Sequence, residues 1–158
     1  MPELSIRLMT AEDRAEWLRM RLALWPEISQ QELQAEMAEI SADPLLPVFV
    51  LARSAGGLGG FVEAALRPWA SGCTTHPVGY IEAWYVDPDL RRQGWGARLV
   101  QAAEAWAVEQ GCTEMASDCE LENTTSYQAH LALGYEETLR IIEFRKTIGP
   151  TRAERGNQ

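Results

Sequence analysis

Two stretches of this chain carry residue types at spacings that chemistry asks for. In Arg91-Arg92-Gln93-Gly94-Trp95-Gly96-Ala97, glycines at i and i+2 follow a pair of arginines. Glycine lets the backbone come close to a ligand, and a helix starting here aims its unsatisfied N–H groups into the loop, so the run suits an anion. Arg91 and Arg92 add cationic character that fits a pyrophosphate or an adenosine 3′-phosphate. No Gly-Lys-Ser or Gly-Lys-Thr follows and GxGxxG is absent, which argues against the loops of nucleotide hydrolases and dinucleotide enzymes. An ordinary helix start would use the same glycines.

The second stretch is acidic. Glu82 sits inside the apolar run Tyr80 to Val86, where an unpaired charge is expensive to bury, so it needs an ion-pair partner, partial exposure or a cation to hold. Asp118 is followed by Glu120 and Glu122, which read as a solvated loop exerting long-range attraction on cations. Cys73, Cys112 and Cys119 are odd in number and lack zinc-ligand spacing, so neither a disulfide framework nor a structural metal is expected. Six tryptophans are many for 158 residues, yet Trp17, Trp95 and Trp106 stand where helix packing or loop filling explains them.

These groups need elements to position them. Ser5 to Met9 alternates as a short strand, and Thr10 with Asp13 has capping-box-like spacing before a helix that carries Leu18, Leu22 and Trp25 and stops at Pro26. Ser29 and Glu32 form a second capping box ahead of Leu33, Met37 and Ile40, with Asp43-Pro44 as the breaker. Val48 to Arg53 and Phe61 to Arg67 predict a hairpin turned by Gly56, Gly57, Gly59 and Gly60. After a loop from Trp69 to Pro77 come a strand Val78 to Val86, a helix from Gly94 to Gly111 buried through Leu99, Ala103 and Trp106, and a strand Thr113 to Asp118. A helix from Asn123 to Gly134 and a last strand Ile141 to Lys146 follow. The pattern predicts one α/β domain over residues 1–147 with a mixed sheet, and a loosely packed tail over 148–158.

Composition narrows the partners. A net charge of −9 argues against non-specific nucleic-acid binding and suits a cationic ligand, although it also serves solubility alone. The amino terminus lacks a basic region leading into an apolar run, and no stretch reaches transmembrane length. A reducing cytoplasm is the simplest compartment for the three thiols.

Arg91-x-x-Gly94-x-Gly96 between a strand and a helix resembles the central motif of the GNAT acetyltransferase superfamily, and Asn123 opening a later helix, then Leu133-Gly134-Tyr135, resembles its second motif. More narrowly, Leu24-Trp25-Pro26, Glu114-Met115-Ala116-Ser117-Asp118, Glu122-Asn123-Thr124 and Leu133 to Thr138 are similar to the aminoglycoside 6′-N-acetyltransferases. The resemblance implies a GNAT-like, mostly antiparallel sheet flanked by helices, acetyl-CoA as co-substrate and an aminoglycoside amine as acceptor, with a homodimer common among such enzymes.

It also implies roles. Trp84, Tyr85 and Val86 would pair by backbone with the pantetheine arm, one N–H holding the thioester oxygen. Arg91, Arg92, Gln93, Gly94, Trp95, Gly96 and Ala97 would cradle the pyrophosphate, and Asn123 would bond the cofactor arm, though capping its helix would equally justify it. Glu82 and Asp118 would hold the substrate's ammonium groups and accept a proton, and Trp25 and Trp69 would wall the pocket. The leaving thiolate's acid, a tyrosine in many members, is His130 by position, with Tyr127 nearby; the choice stays open. Leu139 replaces a carboxylate of some relatives. Alternatives keep the cofactor but change the acceptor to a polyamine, an amino-sugar metabolite or a protein N-terminus, or make the chain an acyl-CoA-binding module without turnover.

Overall fold

The computed structural model describes residues 3–150. β1 (Leu4–Leu8) leads through a 3-10 turn at Ala11–Asp13 into α1 (Arg14–Leu24), then α2 (Gln30–Ala42), β2 (Val48–Arg53), β3 (Leu58–Arg67), β4 (Val78–Val86), α3 (Trp95–Glu109), β5 (Met115–Ser117) and α4 (Thr124–Ala132). The five strands form one sheet in sequence order, antiparallel at every pairing except β4 with β5.

Period-2 alternation divides the core between the two faces of that sheet. Val50, Phe61 and Ala83 pack with Trp17, Met20 and Met37 of α1 and α2. Leu51, Val62, Ala64 and Ile81 pack with Leu99, Val100 and Ala103 of α3. Trp106, expected on the buried face of α3, is only partly buried, while Ala107 completes the stripe.

Local rules set the helix starts. Ser29 accepts from the Glu32 N–H at 3.2 Å and Glu32 accepts in return from the Ser29 N–H at 3.2 Å, closing the expected capping box of α2. Asp13 accepts from the Thr10 N–H at 2.8 Å and is gripped by Arg7 at 2.7 and 2.9 Å, tying the entry of α1 to β1.

Three expectations need correction. Gly59 and Gly60 are buried strand residues rather than turn residues: a Cβ on Gly59 would overlap the Leu90 side chain, and one on Gly60 would lie 2.7 Å from the Tyr85 carbonyl oxygen. β5 is three residues long, shorter than Thr113 to Asp118. No strand forms over Ile141 to Lys146, and that segment is exposed and irregular. Of the expected tail, residues 151–158 lie outside the described residues.

Candidate active site

The parallel pairing of β4 and β5 lasts only from Gly79 opposite Met115 to Ile81 opposite Ser117. From Glu82 to Val86 the β4 edge that faced β5 has no strand beside it, while its other edge stays paired to β3. The sheet therefore opens into a gap whose rim carries unpaired backbone groups, with α3 starting at one end.

That start is unusual within this molecule. Gly94 caps α3 at φ +84°, Arg92 is left-handed at φ +58°, and no side chain caps the first turn. Free N–H groups and a loop bent through left-handed residues make an anion-binding concavity, so the residues present fit a pyrophosphate. The two glycines serve different ends. Gly94 has open space around it and is needed for its backbone angle, whereas a Cβ on Gly96 would meet the Trp84 ring at 2.9 Å. The Trp84 Nε1, buried beneath this turn, has no hydrogen-bond partner among the described residues. Arg91 folds back, its Nε donating to the Val86 carbonyl at 2.8 Å, and Gln93 donates to the Asp89 carbonyl at 2.8 Å.

Sequence reasoning missed the network that fixes this loop. Asp87, at the end of β4, is buried and takes both Arg19 of α1, at 3.0 and 3.1 Å, and Arg53 of β2, at 3.1 Å. Burial pushes the Asp87 carboxyl up, but the two guanidiniums outweigh it and hold it below its ordinary value. Arg53 also grips Asp89 at 2.9 Å, so the turn into the glycine loop is tied to the sheet and to α1. The repeated Asp-x-Asp ending a strand was the available signal.

Beyond the short β5 lies a cleft of about 830 Å³, reaching Tyr80, Asp118, Tyr127 and His130 and bounded on one side by residues 136–141. Glu104, Glu114, Asp118, Glu120, Glu136 and Glu137 line it against one arginine, Arg140, so it is a place for cations. Glu137 is already paired with Arg140, and Glu114 is held by the Thr74 and Thr75 N–H groups at 2.9 and 2.7 Å.

The structure joins Glu82 to Asp118 through two residues not singled out from sequence. Glu82 occupies a bulge, since Ala83 pairs with Glu63 while Ile81 pairs with Ala64, and the bulge turns its side chain to solvent. Arg67 of β3 clasps it, Nε and Nη2 donating to the two carboxylate oxygens at 3.0 and 2.8 Å. The same guanidinium lies 3.4 Å from the centre of the Tyr80 ring, and the Tyr80 hydroxyl donates to Asp118 at 2.6 Å. Burial, followed by this bond to Asp118, pushes the Tyr80 hydroxyl well above its ordinary value, so it stays a donor at neutral pH.

The aromatic candidates are not gathered with these. Trp69 is 73% exposed, beyond the end of β3. Trp25 stacks on Arg21, whose guanidinium is 4.8 Å from its ring centre. Arg21 is itself buried, its Nε 3.0 Å from Glu63 Oε1 without pointing its hydrogen at that oxygen, while Nη1 donates to the Leu33 carbonyl at 3.1 Å. Burial raises the Glu63 carboxyl against the opposing pull of Arg21 and of the Trp17 N–H.

Both candidate acids are engaged. The His130 Nδ1 lies 2.7 Å from the Ser126 carbonyl, which can only accept, so that nitrogen is assigned the hydrogen and Nε2, at 2.8 Å, accepts from the Ser117 hydroxyl. Tyr127 donates to Glu137 at 2.9 Å, and that bond raises its hydroxyl above the ordinary value. Asn123 caps α4 through the Ser126 N–H at 3.0 Å, with its amide nitrogen left to donate elsewhere.

A mostly antiparallel sheet flanked by helices, with a glycine helix start following a strand, is the arrangement that the sequence resemblance implied. The model of the acetyltransferase (GNAT) family matches residues 14–135. The chain belongs to the GNAT acetyltransferase family. Within that family it is 45% identical over 146 residues to an aminoglycoside N(6′)-acetyltransferase type 1 of Klebsiella aerogenes, covering 90% of this chain and 96% of the relative. A protein of the same description from Serratia marcescens is 43% identical over 134 residues, or 84% and 92% of the two chains. Among solved structures, AAC(6′)-Iy in complex with the bisubstrate analog CoA-S-monomethyl-acetylneamine superposes with a TM-score of 0.86 at 35% identity, covering 92% of this chain and 99% of that one. The 6′-N-acetyltransferase AAC(6′)-Ih of Acinetobacter baumannii superposes with a TM-score of 0.85 at 34% identity, covering 93% and 100%. This GNAT enzyme thus shares its whole described architecture with acetyltransferases, and no helix among its described residues is long and apolar enough to cross a membrane.

Proposed function

We propose that this GNAT enzyme transfers acetyl from acetyl-CoA to the 6′-amine of an aminoglycoside by direct attack within a ternary complex, and so confers resistance. The observation that carries the reading is an acidic cleft of about 830 Å³ beyond β5, on a chain that also has an anion-binding helix start at α3 and is 45% identical to an aminoglycoside N(6′)-acetyltransferase. Acetyl-CoA supplies the thioester. The α3 start, from Arg91 to Ala97, holds its pyrophosphate; the open β4 edge at Trp84, Tyr85 and Val86 offers backbone groups to its arm, apart from the Val86 carbonyl that Arg91 already occupies, and Asn123 offers its amide nitrogen.

On the acceptor side, a primary ammonium must lose a proton before it can attack. Asp118, exposed and with one oxygen left over from Tyr80, accepts that proton directly or through water, and Glu82 adds negative charge from the bulge. Trp25 and Trp69 offer aromatic faces to sugar rings and cations. With His130 and Tyr127 both committed to other partners, the departing thiolate takes its proton from water.

The enzyme acts as a homodimer in the cytoplasm. Leu139, Ile141, Ile142, Phe144 and Ile148 are 57% to 92% exposed on a segment without regular structure, and β5 ends the sheet with a free edge. An exposed apolar segment next to an open strand edge is complemented by the same elements of a second copy. The three cysteines are free, as a reducing compartment keeps them.

Purified protein mixed with acetyl-CoA and kanamycin should release free thiol and yield a singly acetylated product modified at the 6′ position. Thiol release with spermidine or glucosamine but with no aminoglycoside would overturn the acceptor, and release with no amine at all would overturn the transfer. Light scattering after gel filtration should give twice the 17.7 kDa chain mass; a monomer would remove the dimer.

A further inference from the structure

Glu82 is a proposed cation-binding group of the acceptor site, yet it already holds a cation. Arg67 reaches it from the neighbouring strand with a two-toothed bond at 3.0 and 2.8 Å, and its guanidinium carbon lies over the Tyr80 ring, 3.4 Å from the ring centre. Both members of the pair remain open to solvent, with side chains 41% and 35% exposed, so this is not a buried structural ion pair that the core enforces. We propose that Arg67 is an internal competitor for the acceptor's ammonium groups, and so sets which amines this site accepts.

The reasoning is one of charge and of available lone pairs. Paired with Arg67, Glu82 contributes no net charge, and the attraction for a cation beside Tyr80 rests on Asp118. Asp118 has the neutral Tyr80 hydroxyl, not a guanidinium, as its hydrogen-bond partner, although Arg67 over the Tyr80 ring also feels its charge. An acceptor with one amine gains only Asp118. An acceptor with several spaced ammonium groups also engages Glu82 by displacing Arg67, whose exposed position lets it swing into water at small cost. The clasp thus filters for polycations, a task distinct from binding them.

This inference rests on the proposed aminoglycoside reading, and the experiment separates the two. Arg67→Met keeps most of the apolar stem and removes the charge, leaving two uncompensated carboxylates. It should lower the KM for kanamycin and for glucosamine by about two- to fivefold at low salt, the size expected for releasing an exposed ion pair. The gain should be proportionally larger for glucosamine, which cannot displace Arg67 by itself, and should shrink as salt rises and the Debye length falls below about 8 Å. The KM for acetyl-CoA should not move, which reports an intact fold. Arg67→Lys, with a point charge in place of the fork, should fall between.

If the wild type releases no thiol with any aminoglycoside, the function reading fails. If the wild type is active but Arg67→Met leaves the acceptor KM unchanged or raises it, Arg67 is either irrelevant to the acceptor or a contact for it, and the competitor role is overturned. Should the Met variant not fold, Arg67→Gln carries the same prediction, and calorimetric titration of kanamycin in the absence of acetyl-CoA gives the same comparison without turnover.

Discussion

The N-termini of α2 and α3 show what the same physical problem looks like when it is solved and when it is left open. Each helix begins with backbone N–H groups that have no partner of their own. At α2, Ser29 and Glu32 close on one another and satisfy them locally. At α3, a left-handed Gly94 stands where a capping side chain would, preceded by Arg91 and Arg92. The start of α4 is closed too, by the Asn123 side chain, while α1 runs on from the 3-10 turn at Ala11–Asp13 without a side-chain cap of its own. Among the described helices only α3 opens from a left-handed glycine, and that bent, uncapped start fits a ligand that would complete the helix.

The largest effect expected is one that leaves this contrast intact. Asp118→Asn keeps the shape of the site but removes the carboxylate that we propose takes the proton, and should lower kcat/KM for kanamycin by about a hundredfold or more. The KM for acetyl-CoA should stay as it is, because nothing at the α3 start is touched; a parallel loss of acetyl-CoA binding would mean the two ends of the site are not separable.

Gly96→Val tests the open start itself. The added carbon meets the Trp84 ring at 2.9 Å, so either the first turn of α3 or the ring must shift. Acetyl-CoA KM should rise by roughly tenfold, with a loss of about 1–3 kcal/mol in denaturant-measured stability from overpacking. Unchanged acetyl-CoA binding would remove this turn from the cofactor site.

The entries to α1 and α2, where no ligand is proposed, should respond in stability alone. Arg7, ahead of the bonds from Thr10, holds the Asp13 carboxyl at about 2 against an ordinary 3.8. A depressed carboxylate stabilises the fold above its ordinary range, and that contribution disappears as pH falls from about 4 through 2. With Arg7 41% exposed and screened by water, the contribution is about 1 kcal/mol, so Asp13→Asn should destabilise by that amount at pH 7 and by almost nothing at pH 2. Ser29→Ala should cost about 1 kcal/mol at any pH above 5 and leave acetyl-CoA KM alone.

Legibility in the sequence followed the range of the interaction. β2 and β4 were readable to the residue because each is a continuous apolar run bounded by breakers. The capping boxes depend on residues three apart and were equally plain. Gly59 and Gly60 misled because their reason lies in Leu90 and Tyr85, more than two dozen residues away. Ile141 to Lys146 has the pattern of a strand, but pattern alone supplies no neighbour to pair with. In the site, Glu82 and Asp118 were visible as types, while Arg67 was not, since its pairing depends on the β3–β4 register and on a bulge that frees Glu82. Gly96 was found for the wrong reason: it makes room for Trp84 before it makes room for a ligand.

The brevity of the β4–β5 ladder has an evolutionary consequence. Three residue pairs hold β5 to the sheet, and Asp118 and Trp69, which we propose for the acceptor side, lie past the ends of regular strands. The donor side is anchored by α3, whose Leu99, Val100 and Ala103 are fully buried. Substitutions at the proposed acceptor side therefore fall where tolerance is high, while substitutions at the donor side strike the core. Lineages of this enzyme can thus vary the proposed acceptor side while the acetyl donor remains fixed.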